Sequence, residues 1–387
     1  MSPLDITAIR HWIVHIPLTA PISWSSGKRS GSTRLICEVV TRGGIRGYGE
    51  TICLLDFVEP VFRNLVKPLG MGRKVTDVER LTRAAEGAGY YHHKRALVFA
   101  LSALEMAMWD ARGKHAGLSL HEMWGGAYRE HVEMCAYVYI ADPERVADEL
   151  ISYRDQGFTS FKLKVGLDPE QDIALVQKAR EVLGPGANLR VDPNGAWTPA
   201  TAKRMLAKLA GFDLQYVEQP LPVEDLAGSA QLRAAVSTPI CIDEGAYTLQ
   251  ETMAVIRAGA ADLVLVDPHE AGGLWACLKV AAVCEAAGIH VGMHSGGELG
   301  LTQAAYLHLA ASMPNAKIAL DTIYQHHADD ILKERIAFAD GHAAVPTGPG
   351  LGVEVDLDKV EHYQADSITS AYLDPDRPDW FAEKPAF

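Results

Sequence analysis

The spacing of apolar residues along this chain changes near position 130. Before it, Ile6–Pro17 and Arg34–Val40 alternate as strands do, and the second runs into the turn Arg42-Gly43-Gly44. Gly47 and Gly49 flank Tyr48 ahead of Glu50, where the backbone is free to turn or to approach a ligand closely. Between Arg95 and Lys114 the apolar positions recur at helical spacing, and Gly117 supplies a stop. Residues 1–128 therefore read as a small α+β unit.

From about His131 short apolar runs alternate with helical segments, among them Pro143–Gln156, Pro169–Leu183 and Thr198–Ala210. That order implies parallel strands joined by right-handed crossovers. The strand ends fall at Lys164, Asp192, Glu218, Asp243, Asp267, His294 and Asp321, spaced 28, 26, 25, 24, 27 and 27 residues apart. One further step back from Lys164 reaches Val138, inside the run VEMCAYVYI. Eight strands at a near-constant period predict an α/β fold with a (β/α)8-type barrel, modified from the TIM pattern, over residues 129–330. The remaining segment, 331–387, is expected to return to the N-terminal unit, because the eight strands are complete by Asp321.

Two-residue alternation then sets direction. Lys162 and Lys164 share one face, while Phe161, Leu163 and Val165 point to the surrounding helices. Seven consecutive strands thus end in an ionisable residue at the barrel mouth, the end that carries the chemistry in barrel enzymes. One Asp at a strand end is ordinarily a helix cap or turn residue. Seven in register are better explained by a site, and carboxylates so crowded repel one another unless a cation sits among them.

Composition narrows the class. The chain has 387 residues, 48% hydrophobic and 22% charged, enough apolar surface for a large core and unlike disorder or coiled coil. A net charge of −13 argues against a general nucleic-acid or anionic-membrane binder. The most apolar stretch, Ala96–Trp109, is too short to span a bilayer and contains Glu105. The opening MSPLDITAIRHW has no basic stretch followed by an apolar one, and the six scattered cysteines form no C-x-x-C pair. The expectation is a cytoplasmic protein with reduced core thiols.

Asp192, Glu218 and Asp243 end three successive strands and offer only oxygen, a donor set suited to Mg²⁺, with Mn²⁺ as a substitute. Glu244 is the rival third ligand but is out of phase with the inward series. Lys164 stands to one side of these carboxylates, with Asp267 and His294 on the other, where Asp267 is placed to hydrogen-bond the His294 ring. A cation beside a lysine disfavours the ammonium and makes the amine a usable base. Two bases flanking a metal-held carboxylate suit removal of a proton from the substrate α-carbon, the cation offsetting the charge of the enediolate.

Lys162-x-Lys164, Asp192-x-Asn194, Glu218-Gln219-Pro220, Asp243-Glu244, Asp267 and His294 together resemble the enolase superfamily, in its mandelate racemase and muconate-lactonising branch. The resemblance extends to Ser102–Gly126 and Gly348–Asp356, nearly the whole chain. The tracts Asp192–Trp197, Asp267–His269, His294-Ser295 and Ala319–Thr322 are similar to glucarate dehydratases. The chain departs from that pattern at Asp243, where the dehydratases carry Asn, at Gln219, where they favour Asp, and in Ser295–Glu298, which lacks their asparagines.

The resemblance implies a Mg²⁺-dependent dehydratase acting on an acid sugar, a small-molecule carboxylate, to give a 2-keto-3-deoxy acid. The alternative is a racemase, epimerase or cycloisomerase using the same groups. It implies Asp192, Glu218 and Asp243 as ligands, Lys164 and His294 as bases, and Asp267 as the partner of His294. Lys162 would neutralise the substrate carboxylate, and Asn194 and Asp321 would give polar support. It further implies a homo-oligomer, a dimer or an octamer, with the N-terminal unit capping the mouth. Substrate choice would then fall to Trp24–Arg29 and Leu54–Phe57, where Trp24 is a candidate contact and Lys28 and Arg29 suit a second carboxylate or a phosphate. Tyr90–His93 and His326-His327 read as structural, and Gly348–Gly352 lacks the strand-to-helix setting of a phosphate loop.

Overall fold

The computed structural model describes residues 1–54 and 56–368. The N-terminal unit opens with an antiparallel meander of β1 (Ile6–Trp24), β2 (Gly27–Thr41) and β3 (Arg46–Ile52). The first two strands are longer than their alternation indicates. Beyond a register shift between Pro17 and Ile22 they pair again, Ile22 with Arg29 and Trp24 with Gly27. Trp24–Arg29 is therefore the tip of a hairpin. Thr19, Ala20 and Pro21 break the apolar alternation there, which hid the strand's continuation.

The meander packs on the helix Tyr90–Ala116, which is buried almost continuously from Ala96 to Ala111 and ends on Gly117 at φ +70°. Gly47 and Gly49 serve this packing and no ligand: a Cβ at Gly49 would overlap the carbonyl oxygen of Ala103, and one at Gly47 that of Ala107. Strand and helix backbones meet because neither glycine has a side chain.

Eight strands follow: β4 (His131–Val138), β5 (Ser160–Lys164), β6 (Asn188–Asp192), β7 (Leu214–Glu218), β8 (Ile240–Ile242), β9 (Leu263–Val266), β10 (His290–Met293) and β11 (Leu320–Asp321). They pair in parallel in sequence order from β4 to β10, and β11 pairs with β4 through Leu320↔Met134 and Asp321↔Cys135. Between β10 and β11 the Val291 amide donates to Asn315 O at 3.2 Å, just ahead of β11. Three crossover helices begin on a capping residue followed by proline: Asp142-Pro143, Asp168-Pro169 and Thr198-Pro199. The cap satisfies the free amides of the first turn, and proline sits where no amide is needed.

Cap and barrel are joined by buried carboxylates. Glu105, on the long helix, accepts from Leu274 N (2.8 Å) and Trp275 N (3.0 Å) at the start of the helix Leu274–Ala286. Asp110 accepts from Tyr48 N and from Leu351 N, at 2.8 and 2.9 Å. Leu351 belongs to Gly348–Gly352, which is thus a docking turn on the long helix. After the barrel the chain runs back along β1, with His15 N donating to Tyr363 O and Ala365 N to Ile13 O, both at 2.9 Å. Of the expected C-terminal segment, 369–387 lie outside the described residues. All six cysteines are free and buried, two in the cap, two on barrel strands and two on Leu274–Ala286. No helix among the described residues is long and apolar enough to cross a membrane.

Gly49→Ala is expected to lower unfolding stability by about 1–3 kcal/mol, the usual cost of overpacking. Denaturant titration of the purified variant checks this, and an exposed control such as Gly186→Ala should change little.

Candidate active site

Lys162 on β5 pairs with Glu218 on β7, and with Asp321 Oδ2 on β11 at 2.8 Å. Contacts from one strand to both of these pass through the barrel interior, which fixes the inward face. Lys162 also lies 3.3 Å from Asp192 Oδ2, and Arg190 reaches Asp321 Oδ1 at 3.2 Å from below. Burial opposes the Lys162 charge, but Asp321, Glu218 and Asp192 outweigh it and hold the ammonium well above its ordinary range. Lys162 is fully buried and does not line the mouth cavity, so it neutralises the protein's own carboxylates in this structure.

Above this layer lies a cavity of about 200 Å³. Lys164, Asn194, Glu244, Tyr247, Glu270 and His294 line it from the barrel, and Trp24, Ser26, Arg29, Leu54 and Phe57 from the cap. Leu55, within the expected Leu54–Phe57 segment, lies outside the described residues. Lys164 Nζ bonds the Asp192 carboxylate and Asn194 Oδ1, the latter at 2.9 Å. Asn194 adopts φ +49°, which turns the chain after β6, and its Nδ2 donates to Glu244 Oε1 at 2.8 Å. His294, the residue after β10, has Nδ1 3.0 Å from Asp243 Oδ2 and Nε2 3.8 Å from Glu270 Oε1. Burial disfavours its charged form, yet Asp243 and Glu270 prevail and raise its pKa well above the usual value.

The carboxylate nearest His294 is thus not the one expected. Asp267 accepts from His269 N at 2.6 Å and from Tyr306 OH at 2.9 Å, while a ligand-capable oxygen of it lies within 4.8 Å of His294, farther than Asp243. Tyr306 sits on a helix, out of reach of any strand-parity argument. Burial pushes the Asp267 carboxyl up to about 6, although His294 opposes it. Asp321 is held between Lys162 and Arg190 beneath the cavity. On the cap side it is Arg29 that lines the cavity; Lys28 is exposed and outside the lining. Glu270 and Tyr139 also line the cavity and were missed. Tyr139 follows Tyr137 on the inward phase of the first barrel strand, a signal the alternation carried; Glu270 lies on the short helix Pro268–Ala271, where parity says nothing.

The carboxylates fit a divalent cation. Glu218 Oε2 and Asp243 Oδ1 are buried with no hydrogen-bond partner, and Asp243 Oδ2 has the His294 ring beside it, an expense that a hard cation would remove. Glu218, Asp243 and His294 bring one ligand-capable atom each within 4.8 Å of one another, whereas Asp192 is drawn to Lys164. Glu244 Oε2 is likewise unpartnered, and burial with the nearby Asp243 charge raises that carboxyl to about 7.

A closed parallel barrel with carboxylates, a lysine and a histidine converging at the strand ends has the arrangement of a barrel enzyme's active site. Two family models match: the mandelate racemase / muconate lactonizing enzyme N-terminal domain over residues 8–125, and the enolase C-terminal domain-like model over 145–360. The chain belongs to the enolase superfamily, in the mandelate racemase and muconate-lactonising family. It is 34% identical to a protein described as a probable glucarate dehydratase from Streptomyces coelicolor, covering 92% of this chain and 90% of that one. It is also 34% identical to N-succinylamino acid racemase from Amycolatopsis, covering 88% and 92%. The crystal structure of muconate lactonizing enzyme from Pseudomonas fluorescens superimposes with a TM-score of 0.88 at 27% identity, covering 94% and 100%. Enzymes of this superfamily use Mg²⁺.

Mg²⁺ is expected to raise the unfolding free energy with the logarithm of its concentration above Kd, by about 2.7 kcal/mol at 100 times Kd, and the melting temperature with it. Asp243→Ala should abolish that shift, while Glu244→Ala should retain most of it. Calorimetry across a Mg²⁺ series distinguishes the two carboxylates.

Proposed function

We propose that this enzyme is a Mg²⁺-dependent dehydratase of acid sugars. The observation that carries the reading is the placement of Lys164 and His294. They come from the second and seventh barrel strands into one cavity, with the carboxylates of the third, fourth and fifth between them. The similarity to the probable glucarate dehydratase over nearly the full chain supports the lyase. Asp192, Glu218 and Asp243 are the residues that would hold the cation. When bound, it supplies positive charge against the substrate carboxylate and makes the α-proton more acidic.

The chain's own residues do the rest. One of the two groups removes the α-proton, and the electron pair moves into the C–C bond as the bond to the β-hydroxyl breaks. The other protonates the departing hydroxyl, so that water leaves. The enol formed tautomerises to a 2-keto-3-deoxy acid. Asn194 fixes the Lys164 amine by accepting from it. Arg29 faces the same space from the hairpin tip, with its guanidinium near the Trp24 ring and Nε buried without a partner. Its fork of donors suits a carboxylate at the substrate's far end.

Isomerisation is the second reading. Opposed groups suit delivery of a proton to the other face of the α-carbon, and the racemase and muconate lactonizing relatives support it.

Mg²⁺-loaded enzyme incubated with a panel of acid sugars should give a keto product detectable with semicarbazide. Loss of optical rotation without that product assigns an isomerase and overturns the dehydratase. In D₂O, Lys164→Ala should block α-proton exchange from one epimer and His294→Asn from the other. Arg29→Gln should raise KM for diacids by about tenfold or more, the loss of a charge-assisted bidentate contact, and leave monoacids nearly unchanged.

A further inference from the structure

The two sides of the cavity are held in different ways. Lys164 is oriented directly by barrel residues, the Asp192 carboxylate and Asn194, and the cap touches that loop through a neutral contact, Ser25 Oγ donating to Pro193 O at 3.0 Å. On the other side, the loops following β9 and β10 are both tied to one guanidinium of the cap. Arg34, on β2, is fully buried and donates through Nε to Glu50 Oε1 at 2.6 Å. Its Nη1 donates to Gly296 O at 3.3 Å, two residues beyond His294. Its Nη2 lies 2.7 Å from His269 Nε2, one residue before Glu270, and 3.4 Å from Thr302 Oγ1.

Glu50, on β3, completes the arrangement. It accepts from Leu299 N at 2.8 Å and from Thr302 N at 2.9 Å, and so fixes the start of the helix Gly300–Ser312 that leads away from His294. An arginine can only donate, so His269 Nε2 must accept and its proton lies on Nδ1, which faces Ser102 Oγ at 3.4 Å. Burial, together with the Arg34 charge, lowers the His269 pKa well below the usual value, in keeping with a neutral ring. Every member of this network is buried, so removal of one leaves the others without water to replace it.

We propose that the Arg34–Glu50 pair of the cap is the positioning device for His294, and that it leaves Lys164 untouched. The cap therefore contributes to chemistry on one face of the substrate, beyond covering the mouth. Neither residue lines the cavity, so the pair acts through the loops it holds. This rests on the two-faced arrangement proposed above.

The test uses full-length, Mg²⁺-loaded Arg34→Lys and Glu50→Gln variants, with the wild type, Lys164→Ala and His294→Asn as references. Face-resolved α-proton exchange in D₂O on paired acid-sugar epimers reads the outcome. Both Arg34→Lys and Glu50→Gln should lose about 10- to 100-fold in exchange from the epimer that His294→Asn disables, the scale of a small misplacement of a reacting group. Exchange from the epimer that Lys164→Ala disables should stay within about twofold. Equal losses on both faces, or none on either, would overturn the proposal. Hydrogen–deuterium exchange mass spectrometry decides the same point without substrate: protection should fall in 267–273 and 294–302 and be unchanged in 160–166. A uniform fall across all three segments would also overturn it. Should the wild type exchange neither epimer, the functional reading fails, and the mass spectrometry still decides the positioning role.

Discussion

Charge balance inside the barrel is the constraint on which the rest depends. Asp192, Glu218, Asp243 and Asp321 are all buried at the strand ends, where a lone carboxylate is strongly disfavoured. Lys162 and Arg190 occupy the layer beneath and offset part of that charge, and Lys164 takes up Asp192. The compensation is incomplete, because Glu218 Oε2 and Asp243 Oδ1 have no partner. Burial and its anionic neighbours accordingly raise the Glu218 carboxyl well above its ordinary range. The strand ends are thus set up to gain from a cation, and the stability of the barrel mouth is linked to that gain.

The cap meets the barrel largely through anionic side chains that receive backbone amides. Glu50 and Glu105 each close the start of a barrel helix, and Asp110 receives the C-terminal turn. A carboxylate at a helix start answers several free amides at once, and it does so in a buried setting where an unanswered amide is costly. Cavity lining and scaffold are separated along the same hairpin. Its tip enters the cavity at Trp24 and Arg29, while Arg34, a few residues on, is locked between cap and barrel.

Much of the barrel was legible because a closed parallel sheet imposes a period. Seven ionisable residues at near-constant spacing located seven strand ends, and two-residue parity placed Lys162 and Lys164 inside. What parity does not reach was lost. Tyr306 lies on a helix, so the engagement of Asp267 was not foreseen, and Asp243 rather than Asp267 stands nearest His294. Gly47 and Gly49 read as a turn or a ligand approach, although the same absence of a Cβ serves a helix packed on the strand. The Arg34–Glu50 network joins residues more than two hundred positions apart, where local spacing carries no signal.

The distribution of thiols has a practical consequence. Cys37 and Cys53 report on the cap, Cys135 and Cys241 on the barrel wall, and Cys277 and Cys284 on an outer helix, all without access to solvent in the folded chain. Burial also pushes the Cys53 and Cys284 thiols up to about 12, so little nucleophilic thiolate exists even where a reagent arrives. Alkylation therefore waits on opening, and the order in which the six sites are modified is a built-in clock for which part of the molecule loosens first.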